Sequence, residues 1–341
     1  MNRTRWLQTA GLLVFGLLIL YGLLQLVHPA QVGAAMVHAS PPLLLLGMAS
    51  SFGFILIRSW RWQLILQASS PETRLADATA VTSLGFGLNA VSPFKLGELL
   101  RIAMISQRAH VGLGEAGATV VLERVLDVLT LLVLAVATAV LTGGPSASLG
   151  VWSGLAVLSA LSLLFGFTAY FATGHADATL RIVATGARIL PARFQPRVTG
   201  LVSSALKGFN LLRSPRRFAL TGLVSLAVWI VPILGLIAYV RSITPLLSLS
   251  TLFLALTLFT ITQAISVTPA SVGTFEGLFV LVLGAFGAGH ASTFTAVALV
   301  AHLAGTVVLV LAGAVGALWL RFRPGGLPVG LERPVVSQNG A

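Results

Sequence analysis

The sequence predicts an all-α polytopic membrane protein, with about six spanning helices and two re-entrant helical hairpins arranged as an inverted repeat. Three observations carry that expectation. Of 341 residues, 56% are hydrophobic and 9% charged, whereas a soluble domain carries about 25% charged residues. Apolar runs close to the ~20 residues needed to cross hydrocarbon recur along the chain. Two proline-centred interruptions with matching neighbours, SPFKLGE at 92–98 and TPASVGTFE at 268–276, lie about half the chain apart.

The net charge of +12 could suggest a nucleic-acid partner, but position argues otherwise. Eight of the 21 basic residues fall between Arg181 and Arg217, and most others flank apolar stretches, as in cytoplasmic loops and juxtamembrane anchors. Nucleic-acid binding is therefore not expected. The absence of cysteine excludes disulfides, thiolate catalysis and Cys-based metal sites. The six histidines are scattered, no metal-ligand spacing occurs, and no dinucleotide, P-loop or nucleophile-elbow motif is present. Neither a metal nor a cofactor is expected.

The elements follow in order within a single transmembrane domain, residues 1–324. The first span covers about 7–27; its rival, a cleaved signal peptide ending near Val37-His38-Ala39, is disfavoured by the length of the apolar run. A linker from His28 to Pro42 without Lys or Arg should lie outside. The second span, 43–66, ends in Arg58, Trp60, Arg61 and Trp62, which read as an interfacial anchor on the cytoplasmic side. Residues 76–108 form the first hairpin, and 119–141 the next span. An uncharged outer loop at 142–150 leads into a span at 151–171. The basic region 173–217 carries an amphipathic helix, with Val198, Leu201, Val202, Ala205, Phe209 and Leu212 opposite Arg197, Gly200, Ser204, Lys207 and Arg213; such a helix suits an anionic lipid surface. Spans at 218–239 and 291–320 flank the second hairpin, 249–287. Both termini are then cytoplasmic, and 325–341 is a polar, Gly/Pro-containing tail expected to be disordered.

In each interruption a hydroxyl residue precedes Pro93 or Pro269, and Gly97 or Gly273 follows four residues later. Pro removes a backbone donor and disfavours helix before it, so a break in hydrocarbon leaves polar groups that only protein or a watery cavity can satisfy. The first hairpin would enter from the cytoplasm and the second from outside. Their flanking spans then match with inverted orientation, the layout of many transporters. Pairs such as Ala301/Gly305 and Ala312/Gly316 favour close helix packing.

Glu98, Arg101, Glu123, Arg124, Asp127 and Glu276 lie within or at the edges of apolar segments. Each costs ~2.5–3.5 kcal/mol at a helix centre on insertion scales, so they must pair or face water. Glu98 and Arg101 are i,i+3 neighbours, and Glu123 and Asp127 share a face. The bland alternative for 123–127 is a helix end snorkelling to the interface. Glu276 has no cation nearby in sequence, and Arg101 or Arg124 is its expected partner by elimination. His302 reads as a packed polar residue between helices rather than a proton carrier.

NAVSPFKLGELLR (89–101), ERVLD (123–127) and TPASVGTFEG (268–277), in that order, resemble the flippase-like transmembrane region of lysylphosphatidylglycerol synthases, over roughly 10–320. The resemblance implies movement of a lipid or lipid-linked head group between leaflets of a bacterial inner membrane. It also implies roles in substrate binding or transport for Asn89, Pro93, Gly97, Glu98, Arg101, Glu123, Arg124, Asp127, Pro269, Gly273 and Glu276. Such synthases add a large soluble aminoacyl-transfer domain; no segment of this chain has that size, so lipid lysylation is not expected of it. Two other roles compete with a translocase: a membrane-embedded transferase acting on a lipid-linked phosphate or sugar, with a carboxylate as base, and a non-transporting accessory subunit.

Overall fold

The computed structural model describes residues 29–92, 96–141, 149–189, 191–263, 268–287 and 289–322, with six isolated positions between 14 and 22. Most of the expected first span, Pro93, the core of the 142–150 loop and the 325–341 tail lie outside the described residues.

Among the described residues every regular element is helical. The order is α1 (Pro29–Val37), α2 (Pro41–Leu66), α3 (Leu75–Asn89), α4 (Leu96–Arg108), α5 (Leu113–Leu141) and α6 (Leu149–Gly174). There follow α7 (Ala176–Ala187), α8 (Gln195–Gly208), a 3₁₀ turn at Asn210–Arg213, α9 (Pro215–Ile243), α10 (Leu249–Thr262), a 3₁₀ turn at Pro269–Ser271, α11 (Thr274–Phe286) and α12 (Ala291–Phe322). Prolines open α2 and α9 within the first turn, where φ is preset and no intrahelical N–H bond is lost. The Ser248 hydroxyl caps α10 by accepting from the Thr251 N–H. The expected 28–42 linker proves to contain α1, held by Val32 against Ala296 of α12.

Among the described residues, four stretches are long and apolar enough to cross a membrane: Pro41–Leu66, Pro215–Ile243, Pro269–Phe286 and Ala291–Phe322. The third qualifies only when the 3₁₀ turn and α11 are taken together. The four hairpin helices, α3, α4, α10 and α11, have 13–15 residues each. At 1.5 Å per residue they reach roughly 20–22 Å, short of a hydrocarbon core of ~30 Å.

The packing of α2–α5 reappears in α9–α12. α2 lies against α9 at the centre; α3 packs on α12 as α10 packs on α5; α3 meets α4 as α10 meets α11; and α4 meets α5 as α11 meets α12. One offset carries Leu96, Glu98, Leu113 and Arg124 onto Thr274, Glu276, Ala291 and His302. Each half has its own core, one around Trp62, Val81, Met104 and Ile105, the other around Phe259, Phe279, Leu283 and Phe294.

Small residues let the hairpin and the last helix touch backbone to backbone. A Cβ on Gly87 of α3 would sit 2.7 Å from the Gly313 Cα of α12. Gly87→Val should therefore force α3 from α12, at about 1–3 kcal/mol for an overpacked contact. Thermal unfolding in detergent would show a lowered midpoint; an unchanged midpoint would mean that the two helices part freely.

The 173–217 region is helical for most of its length. It holds two helices and a 3₁₀ turn, and α8 docks on α5 by the face expected to be polar. The Ser204 hydroxyl accepts from the Glu115 N–H at 3.0 Å, and Gly208 lies against the Glu115 carbonyl. Leu201, assigned to the apolar face, is 57% exposed. A loop-wide amphipathic pattern could not show which face would find a protein partner.

Candidate functional site

Four helices converge on seven ionised side chains: Arg58 and Arg61 of α2, Glu98 and Arg101 of α4, and Glu123, Arg124 and Asp127 of α5, with α9 closing the fourth side. Glu123 is fully buried and central. Its Oε2 accepts from Arg101 Nη2 at 2.6 Å, while its Oε1 meets Arg61 Nη2 at 3.3 Å and Arg58 Nε at 3.8 Å. Asp127 takes Arg58 Nη2 at 2.7 Å, Arg61 Nη2 at 2.8 Å and Arg124 Nη1 at 3.3 Å, and accepts from the Trp229 indole of α9 at 3.1 Å. Glu98 bridges Arg101 at 2.9 Å and Arg124 at 2.7 Å. Aromatic faces complete the walls: the Arg101 guanidinium lies 4.1 Å from the Trp62 ring centroid, and Arg58 lies 5.1 Å from Phe86. Desolvated cation–π contacts of this kind add to the ion pairs.

This arrangement corrects the interfacial reading of Arg58 and Arg61, which are 1% and 0% exposed. On α2 they stand i,i+3 on the face turned to α5, whose carboxylates draw them inward. The snorkelling alternative for Glu123 and Asp127 fails for the same reason. Arg124 differs, with 43% of its side chain exposed.

Two features bear on what the cluster can hold. Four arginines face three carboxylates, leaving one excess positive charge, and Arg124 presents it outward. Arg58, Arg61 and Arg101 each also keep a buried Nε–H with no hydrogen-bond partner. An oxyanion could satisfy such donors, arginine being suited to bidentate phosphate contacts.

Asn89 and Gly97 fasten the first hairpin: the Gly97 N–H donates to the Asn89 Oδ1 at 2.7 Å. A Cβ on Gly97 would collide with the Gly85 carbonyl oxygen, and one on Gly85 would lie 2.5 Å from Arg101 Cγ. Tight closure of α3 on α4 thus sets where Arg101 stands. Where these helices end, a cavity of about 780 Å³ opens among Ser69, Glu72, Arg74, Asp77, Arg108 and His110. Met104 and Ile105, one turn beyond Arg101, also line it.

Pro269, Gly273 and Glu276 form a second group. Glu276, 3% exposed, accepts from the Gly273 N–H at 2.9 Å through Oε2 and meets His302 Nδ1 at 2.7 Å through Oε1. His302 Nε2 reaches the Ala270 carbonyl at 2.7 Å, and the ring stacks on Phe275 with centroids 4.6 Å apart. The partner of Glu276 is therefore His302, and not Arg101 or Arg124, which the three α4 and α5 carboxylates engage. The two glycines aligned in sequence also do different work. Gly97 lies within α4, whereas Gly273 (φ 76°) precedes α11 in a backbone region that favours glycine.

A UPF0104 membrane protein of the archaeon Methanothermobacter thermautotrophicus is 25% identical over 131 residues, 38% of this chain and 39% of that protein. The match thus spans well under half of the relative's length. No solved structure matches the chain. Residues 8–313 match the family described as the lysylphosphatidylglycerol synthase TM region, and with its long apolar helices the chain belongs to that family of multi-pass membrane proteins.

Proposed function

We propose that this protein moves a lipid, or a lipid-linked head group, between the leaflets of a bacterial inner membrane. The observation that carries this is Arg124: a half-exposed guanidinium on α5, beside a buried cluster with one positive charge in excess. An arginine facing hydrocarbon would be costly, so this side of the cluster fits a wet cavity or an anionic head group. The short arms of both hairpins support a re-entrant reading. The exchangeable packing of the two halves supports an inverted repeat, with the hairpins entering from opposite sides. Arg181 beside the exposed Ile182 of α7, and the exposed Leu201 of α8, suit an anionic lipid surface on the cytoplasmic side.

Of the carboxylates that a membrane-embedded transferase could use as a base, Glu98, Glu123 and Asp127 each accept from arginines, which leaves Glu276 beside His302. The deciding assay is leaflet exchange in proteoliposomes with a panel of head-group-labelled lipids, wild type beside Glu98→Gln. Exchange above empty vesicles, lost in the variant while it still folds, is expected. No exchange with any lipid would sink the translocase, and a new lipid species by mass spectrometry would establish the transferase.

A further inference from the structure

Glu98 on α4 pairs with Arg124 on α5, and Glu276 on α11 pairs with His302 on α12; each pair spans 26 residues at 2.7 Å. The same offset relates the two pairs, so each hairpin's second arm is tied to the following long helix by an acid–base contact. One base is permanently charged and the other can lose its proton. We propose that Glu276 and His302 form a proton-binding latch, which pins the 269–273 turn to α12 and releases it on loss of one proton.

The hydrogen-bond geometry fixes the proton count. The Ala270 carbonyl can only accept, so His302 Nε2 carries a hydrogen. The 2.7 Å contact between Nδ1 and Glu276 Oε1 needs a second hydrogen, on nitrogen or oxygen, because two bare lone pairs would repel. Glu276 Oε2 is already occupied by the Gly273 N–H. The closed latch holds one proton more than a separated glutamate and neutral histidine, and as many as a separated glutamate and protonated histidine. Opening is thus indifferent to pH where the released imidazole stays protonated, and favoured by rising pH where it is released neutral.

The turn itself pulls toward release. Ala270 (φ 53°) and Ser271 (φ 56°) are consecutive non-glycine residues in the left-handed region, a conformation L-residues resist. His302 contacts this turn directly, through the Ala270 carbonyl.

Among the described residues no competing ion pair explains the contact. Among the helices packed on α12, α1 has no ionisable residue, and the lone acidic residue of α3, Asp77, pairs with Arg108. On α2, Arg58 and Arg61 are held by α5 carboxylates. On α9, Arg241 donates to the Leu247 carbonyl, Arg216 and Arg217 lie in the first turn, and Tyr239 packs over Gly47. Only Glu276 faces His302 from α11, and Arg321 lies in the last turn of α12.

Any coupling of the latch to lipid movement rests on the translocase reading; the latch does not, and its test needs no lipid substrate. The chain lacks cysteine, so Ala270→Cys can be labelled with a small thiol reagent and its rate divided by that of Val37→Cys, an exposed site. The division removes the pH dependence of the thiolate. The ratio should be flat at low pH and then rise, by about tenfold per pH unit, until saturation. With His302→Arg added, which recreates the fixed pair of the other half, it should stay low and flat. A flat ratio without that substitution, or an equal slope with it, would overturn the latch. The ring nitrogens of His302, assigned by loss of their NMR signal in His302→Gln, give a cysteine-free check: a transition at the same midpoint is expected, and a ring that does not titrate with it refutes the proposal.

Discussion

Glu123→Gln should cost more stability than any other single conservative change in the chain, about 3–5 kcal/mol, the range for breaking a buried ion pair. The substitution preserves shape, so packing is not at issue. It replaces an oxygen 2.6 Å from Arg101 Nη2 with an NH₂ group that donates toward another donor. Oε1 loses its charge beside Arg61 and Arg58. Four arginines would then face two carboxylates, and three of the four are 0–1% exposed, where water cannot compensate. Unfolding in detergent, followed by helical signal, would measure the loss. The double variant Glu123→Gln/Arg101→Gln restores the charge balance and should recover part of it, by a coupling of roughly 0.5–3 kcal/mol. A loss below about 1 kcal/mol, typical of an exposed pair, would mean that the cluster is solvated and the burial described above is wrong.

That cost bears on purpose. Burying ionised groups is a poor route to stability, since apolar packing of equal volume does as well or better. A cluster with one positive charge in excess and a half-exposed guanidinium at its edge suits a site that handles a charged ligand better than a structural staple.

The helices were legible in the sequence because hydrocarbon admits few backbone solutions: the 43–66, 119–141 and 291–320 runs all lie inside observed helices. The charges were half legible. Glu98 with Arg101, and Glu123 with Asp127, follow from helical spacing alone. Arg58 and Arg61 were misplaced because Arg and Trp at a helix end resemble an interfacial anchor, and only the fold brings α5 beside them. A signal existed: Glu98, Glu123, Asp127 and Glu276 inside apolar segments were opposed by Arg101 and Arg124 alone, so further cations had to come from neighbouring helices. The pairing of Glu276 with His302 was missed, although His302 lies as far beyond Glu276 as Arg124 lies beyond Glu98. Aligning the two prolines hid that register, because Pro269 stands two residues further before its helix than Pro93 does. Which face of α8 docks on α5 could not be read, since Ser204 and Gly208 pack by shape and not by hydrophobicity.

Arg124→Gln should behave oppositely to Glu123→Gln, leaving stability within about 1 kcal/mol of wild type, as for exposed charges, while lowering lipid exchange roughly ten- to hundredfold. The fold-change corresponds to a charge-assisted hydrogen bond of about 1.5–3 kcal/mol to the transported head group. Arg124 is half exposed, and removing it leaves Arg58, Arg61 and Arg101 opposite Glu98, Glu123 and Asp127, three against three, so the buried cluster loses no balancing charge. Arg124→Lys keeps the charge but not the planar fork that grips phosphate through two parallel bonds, and should retain only part of the activity. For a zwitterionic head group the two variants should differ less than for an anionic one. The comparison separates the roles of the two residues: if Arg124→Gln unfolds as readily as Glu123→Gln, Arg124 is a structural member of the cluster. If it folds and still exchanges lipid at the wild-type rate, the head group is bound elsewhere, and the cavity beside Asp77 and Arg108 becomes the next place to look.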